Sequence, residues 1–222
     1  MTDEIAAVTL EIVRVARLLS ARGLAVGTSG NVGARLDDGR IAITPSTMDY
    51  DEMTADDIVI VEPDGSPSEG RRRPSSELPL HLAVFAARPA VRAIVHTHSP
   101  FATTFGAARR EIPAVHYVMA LLVAPGRDTI RVAPYATFGT EELGRNVLAT
   151  LAEDNAVLIA NHGAIAVAGS LASALGRAER VEELAMIAWH AEQIGGATLL
   201  SADELDQARD QMARFPRQTE AG

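Results

Sequence analysis

The 222-residue sequence contains no cysteine and no lysine. Without cysteine there are no disulfides, thiolate nucleophiles, iron–sulfur clusters or cysteine-ligated zinc. Every Lys/Arg-type cation is arginine, which does not shed its proton to become an amine nucleophile. Schiff-base chemistry, lysine-anchored pyridoxal phosphate and a P-loop are therefore excluded. Demanding carbonyl chemistry in this chain would need a metal. An excess of positive charge is missing too: the net charge is −9, which argues against general nucleic-acid binding. No apolar run approaches a membrane span, so no membrane partner is expected. The opening "MTDEIAAV" is acidic where a signal peptide would be basic, which makes cytoplasmic location the default expectation.

What is present reads as a folded α/β chain. Hydrophobic residues make up 47% and charge is spread along the sequence, against disorder. The length fits one domain. Ile5, Val8, Ile12, Val15 and Leu19 recur at helical spacing, predicting a helix over about 4–22 that closes at Gly23. "GTSGNVGAR" (27–35) reads as a glycine-rich loop or strand entry, and "RIAIT" (40–44) and "DIVIVEPDG" (57–65) as strands. "GSPSEGRRRP" (65–74) reads as a polar loop and "SSELPLHLAVFAA" (75–87) as a helix with serines at its cap. "VRAIVHTH" (91–98) is a strand, and "AVLIANHGAIAVAG" (156–169) reads as two β segments joined at Asn161-His162-Gly163. Helices are predicted over 140–152 and 171–195, and "SADE" (201–204) is a capping box for a last one.

Within this frame, "VHTHSP" (95–100) places His96 and His98 two residues apart, so a strand points both rings to one face. Zinc takes neutral imidazole nitrogens, and catalytic sites commonly offer three protein ligands. His162, in a sharp "NHG" turn where Gly163 permits close backbone approach, is a natural third. His190, beside Trp189 in a long helix, reads as structural or superficial. Spacing alone leaves a metal site and a metal-free histidine pair both open.

Upstream lie three small-polar clusters: "TSGN" (28–31), "TPST" (44–47) and "PSSE" (74–77). Each offers amides and hydroxyls without bulk. A helix starting near Ser75-Ser76 would aim amides and a positive dipole end at a phosphate. Each cluster alone also suits a plain turn or cap. The Arg71-Arg72-Arg73 run reads either as added positive potential or as a solvated loop. Glu77, next to the serines, is a candidate general base or an ordinary helix-dipole partner.

Taken in order, "GTSGNV" (27–32), "ITPST" (43–47), "PSSELPLH" (74–81), "IVHTHSP" (94–100), "IPAVHY" (112–117) and "LIANHGAI" (158–165) resemble the class II aldolase/adducin family, most closely its L-fuculose-1-phosphate aldolase branch. The resemblance implies an α/β fold, a three-layer α/β/α single domain with a central, mostly antiparallel sheet, spanning 1–222 with a core of about 4–215. It implies one Zn2+ per subunit on His96, His98 and His162, with Glu77 as the catalytic glutamate. Gly30, Asn31, Ser46, Thr47, Ser75 and Ser76 match phosphate-binding positions. Tyr117 matches a tyrosine that protonates the aldehyde oxygen from a neighbouring subunit, in a homotetramer with active sites between subunits.

The implied reaction is reversible cleavage of a ketose 1-phosphate, L-fuculose 1-phosphate-like, to dihydroxyacetone phosphate and a small aldehyde. Zinc as Lewis acid would take over the task of a lysine iminium. Glu77 separates the chain from the 4-epimerase branch, which typically has aspartate there. Some fuculose-phosphate aldolases use a tyrosine near the C-terminus; here the last tyrosine is Tyr135 and the tail offers Phe215 before "PRQTEAG". That leaves open an aldolase for 5-deoxy- or methylthio-pentulose phosphates, a sugar-phosphate dehydratase or a decarboxylase. Adducin-like scaffold domains, which have lost the metal site, are the non-enzymatic alternative; retention of the three histidines and Glu77 speaks against one.

Overall fold

The computed structural model describes residues 3–215. Helix α1 (Asp3–Ala21) closes before Gly23, whose φ of 68° is left-handed. Four strands follow: β1 (Asn31–Arg35), β2 (Ile41–Ile43), β3 (Val59–Val61) and β4 (Pro67–Glu69). Next come α2 (Leu78–Ala87), β5 (Ala93–Thr97) and α3 (Pro100–Ala108). Strands β6 (Ile112–Pro113) and β7 (Thr129–Ile130) pair with each other apart from the main sheet. The chain continues through β8 (Val132–Ala133), α4 (Glu141–Leu151), β9 (Ala156–Ile159), β10 (Gly163–Ala168), α5 (Leu171–Gln193) and α6 (Ala202–Arg214).

Eight strands form one sheet in the order β4-β3-β2-β1-β5-β10-β9-β8. All its pairings are antiparallel except β8 with β9. The central strands are apolar on both faces because helices cover both. Alternation sorts them by size. Val32, Ala34, Ala42, Val95 and Ala166 face α1 and α5, whereas Ile41, Ile43, Ile94, Ile165 and Val167 face α2 and α4. His96 shares the face of Ile94, two residues earlier on β5, and therefore looks toward α2. Asn31 is its direct cross-strand partner on β1. The expected α/β sandwich with a mostly antiparallel sheet is thus the observed one.

Three local expectations are corrected. The polar loop 65–74 contributes β4, a short edge strand on β3. The helix expected from residue 75 begins at Leu78 with Glu77 as its N-cap residue, because the Ser75 hydroxyl accepts from Glu77 N and its carbonyl from Leu78 N. Ser75-Ser76 thus form the turn before the helix, and their amides are not its N-terminus. His98 has already left β5, whose last residue is Thr97. The "SADE" capping box is present as expected, Ser201 accepting from Glu204 N. Phe215 is exposed, and the tail "PRQTEAG" lies outside the described residues.

Candidate metal centre

The imidazoles of His96, His98 and His162 converge. The Nε2 atom of His96 lies 2.9 Å from that of His98 and 3.3 Å from that of His162. The rings meet edge-on at centroid separations of 4.8–4.9 Å. Glu77 closes the group, with Oε2 3.0 Å from His96 Nε2 and Oε1 3.2 Å from His162 Nε2. One ligand atom from each of the four side chains falls within 4.8 Å of all the others. Two nitrogens bonded to one zinc at tetrahedral angles stand about 3.4 Å apart. The separations and the donor set both fit a divalent ion.

The backbone explains the convergence. His96 is fully buried in the sheet, and its Nδ1 donates to the Ala164 carbonyl of β10 at 2.9 Å. That bond fixes the ring and turns the Nε2 lone pair inward. His98 N donates to the Leu24 carbonyl, and α3 starts just beyond, its Phe101 and Ala102 amides capped by the Glu182 carboxylate of α5. His162 sits in the β9–β10 turn after Asn161, a left-handed residue with φ 54° whose Oδ1 accepts from Arg109. A Cβ on Gly163 would stand 2.1 Å from the Thr97 carbonyl oxygen and 2.9 Å from the His98 ring. Only glycine brings this turn close enough to place His162 beside His98.

Electrostatics follow from the crowding. Burial, then the neighbouring His96, push the His98 and His162 rings down, to about 3 and about 4. Both are neutral and coordination-ready at physiological pH. Burial also opposes charge on His96, but Glu77 and the Ala164 carbonyl outweigh it and raise that ring. Burial would lift the Glu77 carboxyl; His96, His162 and the Asn31 amide overcome it and hold the group well below the usual carboxylate range. Glu77 is therefore ionised.

Above the histidines is a cavity of about 310 Å³. Gly30, Asn31, Ser46, Thr47, Ser75 and Ser76 all line it, together with Glu77, His98 and His162. The loops 44–47 and 73–75 are tied by Ser46 N to the Arg73 carbonyl, Ser75 N to the Thr44 carbonyl and a Pro45–Pro74 bridge. Gly30, at φ 76°, approaches so closely that a Cβ would lie 2.7 Å from the His96 carbonyl oxygen. Its own carbonyl accepts from the buried Tyr50 hydroxyl. The Asn31 side chain is turned to Glu77, its Nδ2 donating to Oε2 at 2.8 Å. Arg71–Arg73 do not line the cavity; they are exposed, and Arg72 pairs with Asp57.

One expected residue lies away from the cavity, and three others line it. Tyr117 is not in the lining: it opens a 3-10 turn, stacked on His116 and 53% exposed. Tyr135, Ala136 and Phe138, which the sequence did not single out, complete the wall. They carry no acid–base or ligand pattern, so nothing local marked them. His190 is exposed on α5, as read.

Comparison with known proteins follows the same line. The family model described as "Class II Aldolase and Adducin N-terminal domain" matches residues 10–189. A 5-methylthioribulose-1-phosphate/5-deoxyribulose-1-phosphate aldolase of Rhodospirillum rubrum is 41% identical over 204 residues, covering 92% of this chain and 90% of that protein. An L-fuculose phosphate aldolase of Escherichia coli (strain K12) is 42% identical over 165 residues, 74% of each chain. A solved L-fuculose 1-phosphate aldolase superposes with a TM-score of 0.89 at 34% identity, covering 94% of this chain and 97% of that one.

Proposed function

Since the chain belongs to the class II aldolase and adducin family and is a class II aldolase, we propose that it cleaves a ketose 1-phosphate reversibly to dihydroxyacetone phosphate and a small aldehyde. One observation carries the reading: three imidazoles and an ionised glutamate converge, and His98, His162 and Glu77 of that group line a cavity walled by small polar residues. In a chain without lysine, that is where carbonyl chemistry can occur.

His96, His98 and His162 hold one divalent ion, and the all-nitrogen trio suits zinc. When bound, such an ion supplies Lewis-acid stabilisation of negative charge on substrate oxygens. The rest is work for side chains. Ser46, Thr47, Ser75, Ser76 and the backbone at Gly30-Asn31 cradle the phosphate. Glu77 carries the proton to and from the carbon beside the carbonyl. Tyr117, exposed on one protomer, serves the site of a neighbouring one by exchanging a proton with the aldehyde oxygen. That role requires the family's homotetramer, which light scattering would read directly. The same reading treats the whole chain as one such domain and places it in the cytoplasm.

For the substrate, the span of similarity favours 5-deoxy- or 5-methylthio-ribulose 1-phosphate, because that relative aligns over 92% of the chain and the L-fuculose enzyme over 74%. The Tyr135–Ala136–Phe138 wall suits an aldehyde ending in a methyl or thioether. L-fuculose 1-phosphate is the second reading, favoured by the structural match. A screen of the three sugars, with dihydroxyacetone phosphate as readout, decides. A 5-substituted ribulose phosphate should exceed L-fuculose 1-phosphate in kcat/KM by about tenfold or more. The reverse order would restore L-fuculose 1-phosphate, and no release from any sugar would refute the ketose-phosphate reading.

A further inference from the structure

Glu77 caps α2, and His81 lies one helical turn further along the same face. Between them stands Asn31 of β1. Its Nδ2 donates to Glu77 Oε2 at 2.8 Å, and its Oδ1 lies 2.5 Å from His81 Nε2. All three side chains are buried, His81 completely. An amide has one donating and one accepting end. With the NH2 turned to the carboxylate, the carbonyl end faces the ring, so His81 Nε2 must carry the hydrogen.

The other ring nitrogen confirms the tautomer. His81 Nδ1 has no hydrogen-bond partner among the described residues and rests against Gly33, where a Cβ would come within 2.5 Å of it. Burial keeps the ring neutral. A neutral imidazole has a single N–H, and among the described residues the hydrogen-bond partner is at Nε2, the Asn31 carbonyl oxygen. An apolar side chain would fill this hole without stranding Nδ1. Packing is therefore not what the histidine supplies.

We propose that His81 is a positioning residue: its Nε2–H fixes the orientation of the Asn31 amide, which in turn holds the Glu77 carboxylate against the imidazole trio. Without that donor the Asn31 carbonyl is left buried and unpaired, and the amide, tethered at one end only, no longer holds Glu77 in a fixed place. The proposal rests on the reading of Glu77 as proton carrier.

The test compares His81→Leu, which fills the hole but donates nothing, with His81→Gln, whose terminal amide restores a donor near the Nε2 position. Leucine should lower kcat roughly ten- to a hundredfold, with KM and bound zinc little changed, and glutamine should recover most of the loss. Wild-type turnover in the leucine variant, or glutamine no better than leucine, would overturn the proposal. If the leucine variant does not fold, histidine-selective 15N spectra of the unaltered, metal-free protein decide. They should show His81 with a slowly exchanging Nε2–H and a bare Nδ1, and an Nδ1–H tautomer refutes the relay. Glu77→Gln separates the two levels. If it abolishes turnover while His81→Leu does not, only the relay fails. If it leaves turnover intact, the proton-carrier role fails and the relay loses its purpose with it.

Discussion

The floor of the cavity and its rim are built on opposite terms. On the floor, His96 stands on β5, and His98 and His162 flank the ends of β5 and β10, two neighbouring strands at the centre of the sheet. Backbone register, a glycine that admits no Cβ and the bond from His96 to Ala164 set where the nitrogens point. At the rim, Tyr135 and Phe138 ride on the loop between β8 and α4 and are 52% and 64% exposed. Nothing in the sheet dictates their rotamers. The difference teaches that the geometry of the histidine cluster is fixed by the ladder, whereas the proposed aldehyde-facing wall is made of side chains that a loop can exchange cheaply.

The contrast can be broken from either side, and the floor should yield first. His162→Ala removes one nitrogen of three; zinc content should fall below one per chain and turnover by about three orders of magnitude or more, read by elemental analysis beside the cleavage assay. Undiminished zinc would remove His162 as a ligand. Glu77→Gln should keep the zinc and lose about a hundredfold or more in kcat. Gly163→Ala drives a methyl into the Thr97 carbonyl, and urea unfolding should show a loss of about 3 kcal/mol. A neutral result would mean that the turn has room the geometry denies.

Acid should weaken the floor as well. Burial and the neighbouring His96 depress His81, His98 and His162 to about 3, 3 and 4. Between about pH 6.5 and 4 the unfolded chain binds protons that these folded sites refuse, so stability falls as pH is lowered through that window. His96, raised in the fold, works in the opposite sense, one ring against three. The urea midpoint of metal-free protein should therefore be lower at pH 5.5 than at pH 7.5; an unchanged midpoint contradicts the buried, neutral state of His81, His98 and His162. The smallest effect is expected at the rim. Phe138→Ala should alter kcat/KM by no more than about tenfold and change the ranking of aldehydes rather than abolish cleavage.

Much of the floor was legible in the sequence because it is written in local periods. "VRAIVHTH" has the alternation of a strand, and "NHG" breaks an apolar run where a hairpin turns. The motif set supplied Glu77 and the small-polar loops, all of which meet in one cavity. Other features were hidden because they are made by pairing across the fold. His81 and Asn31 touch although fifty residues separate them. The meeting depends on α2 settling over Gly33, which no local pattern reports. Helix α3 went unread because "PFATTFGAA" is short and has little amphipathic contrast; its start is secured by Glu182, far along the chain. The start of α2 was misplaced because serines before a helix usually cap it, whereas here Ser75 turns its hydroxyl to Glu77 N and leaves the glutamate at the cap.

X-ray absorption at the zinc edge, on protein reconstituted with one equivalent of zinc, tests the centre most directly. We expect one tightly held ion whose inner shell contains three imidazole nitrogens at about 2.0–2.1 Å, reduced to two in His162→Ala. Failure to retain zinc, or a shell without imidazole scattering, would contradict the assignment of His96, His98 and His162 as the metal site.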